Sequence, residues 1–360
     1  MIAPGGPGVS ARPAVFVPGA AIPAGSPRAE AGASCEPAAV STDTLGGPRC
    51  ILTARNVAPS AYPKRMRAVV RETDLVDLHT HSVANDGRWR ADTLARAALA
   101  AGIRVAALTD HDTTAGVAEF AREAAALGIQ AVPGVEVSCW WRGTIYHVLL
   151  YGVDIHHPQL VGLLSDLWSE VTRVAAEARS QLRRRGYALP HLDGLRPSGG
   201  LLPVDVMVAA MRAGVAADFQ EVVRVLVEEM GISFAAGADM AEAVAAGHAA
   251  GGVAVLAHPG RAEFGFTRAE PADVEEMVAA VGLDGVEVYH WSHGPAEVQM
   301  YGRLAAERGL LVSCGSDSHG PQSLRRLNAW EARLCRELLE RCGIEVAGVG
   351  RGEHTGSEWA

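Results

Sequence analysis

The chain has 360 residues, of which 49% are hydrophobic and 20% charged, with a net charge of −9. That length suits one large α/β barrel or two ordinary domains, and the composition excludes a wholly disordered or membrane-embedded protein. The acidic balance also excludes a broad basic surface for stable binding of long nucleic acid, though not a short phosphorylated ligand in a local pocket.

Residues 1–72 are rich in Pro, Ala, Gly and Ser, lack apolar periodicity, and are expected to form a disordered tail. No basic segment precedes Ala14-Val15-Phe16-Val17, and Pro18 and Pro23 interrupt the apolar stretch, so a secretory signal fits poorly. No apolar run is long enough to span a bilayer. Met66 is an alternative start close to the first motif. Lys64 is the only lysine, so any phosphate clamp beyond the tail must be arginine, histidine or metal. The six cysteines show no C-x-x-C and no framework spacing, which points to a reducing, cytoplasmic setting.

Beyond the tail the pattern alternates. Leu75–Leu78 reads as a strand, Ala91–Ala101 as a helix closed by Gly102, and Ile103–Leu108 as a second strand. Thr113 or Thr114 is expected to cap a helix that runs to Leu127 and stops at Gly128. The strand Ile129–Val132, a segment around Glu136 and the strand Thr144–Tyr151 follow. From about residue 158 to 250 the pattern is helical, over Gln159–Arg185, Pro203–Ala213, Phe219–Met230 and Met240–Ala249, and about 187–236 is read as an inserted helical subdomain. Strands at Val253–Leu256, Gly285–Tyr289 and Leu310–Cys314 resume the alternation, and 346–360 reads as a flexible tail. Repeated βα units over 73–345 predict a parallel sheet or barrel with its active site at the strand C-terminal ends.

Five short segments carry the chemistry: Asp77-Leu78-His79-Thr80-His81, Thr109-Asp110-His111-Asp112, Pro133-Gly134-Val135-Glu136, Ala257-His258-Pro259 and Gly315-Ser316-Asp317-Ser318-His319. Each is expected where an apolar run stops, so their imidazoles and carboxylates can meet at one end of a sheet. Alternation with period two sends Asp77, His79 and His81 to one side of an extended segment. A turn at Ala84-Asn85-Asp86-Gly87 can bring Asp86 back to the same ion. Asp317 and His319 repeat the alternating pattern. Mixed imidazole and carboxylate ligation suits manganese, iron or zinc rather than magnesium or calcium. Burying so many polar groups without a metal would be costly.

These ordered motifs, DLHTHS, TDHDT, PGVEVS, AHPGR and GSDSHG, resemble the PHP (polymerase and histidinol phosphatase) superfamily over about residues 74 to 330, and within it the phosphoesterases of nucleoside 3′,5′-bisphosphates and short RNA 5′ ends. The resemblance implies a distorted (β/α)7 TIM-like barrel and two or three divalent ions, manganese foremost. It implies ligation by His79, His81, Asp86, His111, His147, His258, Asp317 and His319, with Glu136 bridging two ions. Asp77, Asp110 and Asp112 are then expected just behind the ligands, Asp110 and Asp112 accepting the free N–H of imidazoles. Arg261 is the candidate for holding a phosphate, and His293 for touching substrate. His156, His157, His248 and His354 are assigned no role. The implied reaction is in-line hydrolysis of a phosphomonoester by a metal-activated hydroxide.

One departure bears on substrate. Related bisphosphate phosphatases carry a Gly-Arg-Pro-His-like element in the inserted helices, whereas this chain has Gly200-Leu201-Leu202-Pro203-Val204-Asp205, with Arg196-Pro197 and Pro190-His191 displaced and separate. A non-nucleotide substrate such as histidinol phosphate is therefore a second reading, although histidinol phosphatases of the family are not expected to combine TDHDT with the long insertion. A noncatalytic PHP module is a third; it predicts eroded ligand positions, and none is eroded here.

Overall fold

The computed structural model describes residues 69–189, 192, 200–262, 266–321 and 326–348. The expected tail up to residue 68, the stretch from 349 with His354, and the Pro190-His191 and Arg196-Pro197 pairs lie outside the described residues.

In chain order the elements are β1 (Val70–Arg71), β2 (Leu75–Asp77), α1 (Ala91–Ala100), β3 (Ile103–Leu108), α2 (Val117–Ala126), β4 (Gln130–Trp141), β5 (Thr144–Tyr151), α3 (Pro158–Arg184), α4 (Pro203–Arg212) and α5 (Phe219–Val223), which continues as a wider π turn over Arg224–Glu229. Then come β6 (Ala238–Asp239), α6 (Met240–Ala249), β7 (Val253–Leu256), α7 (Pro271–Val281), β8 (Gly285–His290), α8 (Pro295–Arg308), β9 (Leu311–Gly315), β10 (Trp330–Glu331), α9 (Arg336–Arg341) and β11 (Val346–Ala347).

The strands β2-β3-β4-β5-β7-β8-β9 form a continuous path, and its two ends approach each other. Thr80 bridges Ser318, and the Leu78 and His81 N–H groups donate to the Cys314 and Ser318 carbonyls at 3.1 and 3.0 Å. The result is a nearly closed, barrel-like sheet of seven principal strands, as the family resemblance implies. It is not all parallel, however. β5 runs antiparallel to both β4 and β7. β4 and β5 form a hairpin whose turn places Arg142 and Gly143 at positive φ, the backbone a tight turn of matching twist requires.

This hairpin corrects one expectation. β4 does not stop at Val132 but continues to Trp141, so Glu136 sits within a strand. Pro133, with no N–H to donate, stands where β4 leaves β3 and takes up β5. The next helix is corrected too: α2 begins at Val117, after Gly116, instead of following Thr113 or Thr114. The intervening backbone is engaged elsewhere, since the Asp112 N–H donates to the Glu136 carbonyl and the Glu136 N–H to the Asp110 carbonyl.

Alternate strand residues pack in two directions. Val105, Ala107, Val132, Leu149, Tyr151, Val253 and Val255 share an interior cluster, closed by Leu338 and Leu339 of α9. Val135, Val137, Val148, Leu150, Ala254 and Val286 face outward into a cluster with α3, α6, α7 and α8. The segment 187–236 contributes α4 and α5, which pack with the second half of α3 around Ala178, Leu182, Val206, Ala210, Val222 and Leu226 as a separate apolar cluster. Among the described residues, the ends of the chain are more ordered than the sequence suggests. Val70–Arg71 and Val346–Ala347, read as parts of the two tails, pair in parallel as β1 and β11, with Val70 opposite Val346 and both buried.

Candidate metal centre

The candidate residues converge because the motif loops are held in unusual backbone shapes. Four described non-glycine residues have positive φ, and three belong to the motifs: Asp112 (54°), His258 (27°) and Asp317 (49°). Such conformations cost of order 1–3 kcal/mol each and persist only where surrounding contacts over-determine them. Two glycines supply close approaches. A Cβ on Gly315 would collide with the backbone and Cβ of His79, and one on Gly87 would lie 2.6 Å from the carbonyl carbon of His81. These two positions let β9 and the Asp86 turn close on the first motif.

Glu136 is the hub. Its Oε2 lies 3.1 Å from His79 Nε2, 3.2 Å from His81 Nε2 and 3.2 Å from His111 Nδ1, while its Oε1 lies 2.9 Å from His147 Nδ1 and 2.8 Å from His258 Nε2. Asp317 Oδ1 adds a second carboxylate, 3.1 Å from His81 Nε2 and 3.7 Å from His79 Nε2. On the more open side, His319 Nε2 is 3.1 Å from Asp86 Oδ2, and His81 Nδ1 is 3.9 Å from Asp86 Oδ1. All the ligands implied by the motifs therefore lie in one cluster. His147 reaches it from the first half of β5, since that strand runs opposite to its neighbours.

The donor set fits divalent metal. Four groups of side chains present ligand atoms close enough to share an ion: His79, His81, Glu136 and Asp317; His111, Glu136 and His147; His81, Asp86, His111 and His319; and His79, Glu287 and His290. Within them His81 Nδ1 and Nε2, Asp86 Oδ1 and His111 Nδ1 are buried without a hydrogen-bond partner among the described residues. Leaving such atoms unpaired costs about 1–3 kcal/mol each, a cost that coordination would remove. Without a cation, protons on the His79 and His81 imidazoles balance the carboxylates in its place. Burial lowers the His79 and His81 imidazoles, but Glu136 with Glu287 outweighs it at His79, and Asp317 with Glu136 raises His81 to about 10. Burial, reinforced by neighbouring His81, pushes His111 down to about 3 against the pull of Glu136. Glu136 is held well below the ordinary carboxylate range, since His111, His79 and His147 together overcome its burial.

Asp77, Asp110 and Asp112 have a different role from the one expected. Among the described residues none takes an imidazole N–H. Asp77 accepts the Ser316 N–H (2.9 Å) and hydroxyl (2.6 Å), Asp110 those of Ser82 (2.5 and 2.6 Å), and Asp112 those of Ser138 (2.7 and 3.0 Å). Each carboxylate clasps one serine on the neighbouring segment, so the three together join the motif loops from β9 through β2 and β3 to β4. Burial raises Asp77 and Asp112 to about 6 even with these donors present. The orienting carboxylate is Glu287 instead. It accepts His79 Nδ1–H at 3.1 Å through one oxygen and the His258 N–H at 2.8 Å through the other, leaving His79 Nε2 to face Glu136.

His293 also differs from expectation. Its Nδ1 donates to the Val288 carbonyl (2.9 Å) and its Nε2 accepts the Gly260 N–H (3.0 Å), so both ring nitrogens are committed to backbone and the residue anchors the His258 loop. Arg261 is buried, with its guanidinium 4.1 Å above the Phe266 ring and Nη1 3.5 Å from Asp317 Oδ2. Sequence reasoning missed Glu287, whose signal is a lone carboxylate inside the apolar run of β8; the family resemblance placed the segment from Tyr289 to His293 along the pocket but gave the substrate contact to His293 and no role to His290, which ends that strand. His156 is exposed and His248 pairs with Asp284 on the surface, away from the cluster.

The PHP domain family matches residues 77–193. The chain is 33% identical over 253 residues to a 5′-3′ exoribonuclease of Haemophilus influenzae, covering 69% of this chain and 91% of that protein. It is 32% identical over 251 residues to a 3′,5′-nucleoside bisphosphate phosphatase of Chromobacterium violaceum, covering 68% and 87%. A solved structure from Bifidobacterium adolescentis, described as a metal-dependent phosphoesterase, superposes with a TM-score of 0.62 at 26% identity, covering 74% of this chain and 96% of that one.

Proposed function

The chain belongs to the PHP-domain family of metal-dependent phosphoesterases, and on that basis we propose that it hydrolyses phosphomonoesters of small nucleotides such as 3′,5′-bisphosphates, with the 5′ ends of short RNA or DNA as further substrates. The observation that carries this reading is the convergence of five imidazole nitrogens within 3.2 Å of one buried carboxylate, Glu136. His79, His81, Asp86, His111, Glu136, His147, His258, Asp317 and His319 would hold two or three ions, with manganese as the first candidate. When bound, such ions activate water as a nucleophile and neutralise the oxygens of a transferring phosphoryl group.

The chain's own residues do the rest. Glu136 holds His79, His81 and His111 on one oxygen and His147 and His258 on the other, and so sets the spacing of the ligands. Glu287 fixes the His79 tautomer, and Arg261, carried on the Phe266 face, holds a phosphoryl oxygen beside Asp317. Among the described residues no helix is long and apolar enough to cross a membrane. A cytoplasmic setting belongs to the same reading, and rests on the lack of C-x-x-C and framework spacing among the six cysteines.

The test is hydrolysis by the manganese-loaded protein, read as phosphate release from adenosine 3′,5′-bisphosphate and histidinol phosphate and as phosphate or mononucleotide release from a 5′-phosphorylated oligonucleotide. Turnover of the first or third is expected. Turnover of histidinol phosphate alone would move the assignment to a non-nucleotide substrate, and none on any, with metal bound, would contradict it.

A further inference from the structure

His290 lies outside all five motifs, yet it is only 3% exposed and its ring centroid is 5.3 Å from that of His258 and 6.0 Å from that of His79. Its hydrogen bonds fix what it can offer. Nδ1 accepts the Ser292 backbone N–H at 3.2 Å and lies 2.8 Å from the Ser292 hydroxyl. A backbone N–H can only donate, so the Nδ1 lone pair is occupied and the ring hydrogen resides on Nε2. That Nε2–H is buried and has no hydrogen-bond partner among the described residues. It sits 3.6 Å from Asp317 Oδ2, the same oxygen that Arg261 Nη1 approaches at 3.5 Å.

A metal ligand offers a lone pair, whereas His290 offers a hydrogen. Its nearest potential co-ligands are already engaged, because His79 Nδ1 and Glu287 are bonded to each other. Two donors of different shape, a guanidinium and an imidazole N–H, thus meet at the edge of the cluster beside Asp317. A phosphoryl group, which presents acceptor oxygens, suits that pair.

We propose that His290 binds the phosphoryl group under attack, its Nε2–H and the Arg261 guanidinium each holding a nonbridging oxygen. The inference rests on the phosphoesterase reading and adds to it a residue that no motif marks. Ser292 is the positioning residue for His290, as Phe266 is for Arg261.

The experiment compares metal-loaded wild-type protein with His290→Phe and His290→Gln, measuring bound metal per chain and inorganic phosphate affinity by calorimetry. The phenylalanine variant keeps the ring and removes the donor; the glutamine variant restores an N–H near the Nε2 position. We expect unchanged metal content in both, phosphate affinity weakened about tenfold or more in His290→Phe, and most of that loss recovered in His290→Gln. If His290→Phe does not fold, His290→Asn, whose amide falls short of the Nε2 position, is read in its place. Loss of one ion per chain would overturn the proposal by making His290 a ligand, and unaltered phosphate affinity would overturn it by removing the contact. Either result beside normal wild-type turnover leaves the phosphoesterase reading standing, whereas absent wild-type turnover overturns that reading itself.

Discussion

Around Glu136, imidazole nitrogens face a single carboxylate, and several of the surrounding ligand atoms have no hydrogen-bond partner among the described residues. In the loops that frame it, Asp77, Asp110 and Asp112 are each paired through both oxygens to the N–H and hydroxyl of one serine. Both regions are buried and both are drawn largely from the same motifs. Their hydrogen bonding distinguishes a cluster shaped for cations from a frame that fixes loops, since a structural carboxylate in a low-dielectric interior needs its donors in place already. Aspartate thus serves both purposes in this molecule, as Asp86 and Asp317 in the cluster and as Asp77, Asp110 and Asp112 in the frame.

Substitutions can break that contrast in graded steps. Glu136→Gln keeps shape and removes the central charge; turnover should fall by on the order of a thousandfold, equivalent to several kcal/mol of lost stabilisation, with the fold intact by circular dichroism. Near-normal turnover would remove Glu136 from the centre. Asp77→Ala orphans the buried Ser316 N–H, and should lower thermal stability by about 1–3 kcal/mol and weaken metal binding by roughly 10–100-fold as the Asp317 loop loosens. If only metal binding changed, Asp77 would belong to the cluster rather than the frame. Gly315→Ala should destabilise by about 1–3 kcal/mol through overpacking against His79, measured by denaturant unfolding. Ser138→Ala removes one hydroxyl from the Asp112 clasp and should cost about 1 kcal/mol while turnover stays within a few-fold of normal. The smallest effect belongs to His248→Ala, at the surface pair with Asp284: below about 1 kcal/mol, with no change in turnover.

The cluster was more legible in the sequence than the frame. His79, His81, His258, Asp317 and His319 follow short apolar strands, so alternation and strand ends alone bring them together. His147 needed the family resemblance, because it lies early in an antiparallel strand, whereas Asp86 was offered by its turn and placed in the ligand set by the resemblance. Glu136 was legible as a residue but not as a position within a strand, since periodicity does not say which neighbour a strand pairs with. The clasps were misread because a carboxylate beside a histidine in sequence need not touch it in space. The partners of Asp110 and Asp112 lie 28 and 26 residues away, and that of Asp77 lies 239 away. The positive φ values of Asp112, His258 and Asp317 leave no sequence signature, because each is imposed by contacts from other strands. His290 and His293 show the limit plainly: two histidines three positions apart at the end of one strand have opposite roles, decided by which backbone groups occupy their nitrogens.

The cluster around Glu136 would hold the ions on which hydrolysis of nucleotide phosphomonoesters depends. Phosphate release from adenosine 3′,5′-bisphosphate, followed before chelation, after chelation and after return of manganese, tests it most directly. Turnover is expected to disappear with the metal, to return with it, and not to return in Glu136→Gln. Turnover that survives removal of the metal, or that Glu136→Gln recovers in full, would contradict it.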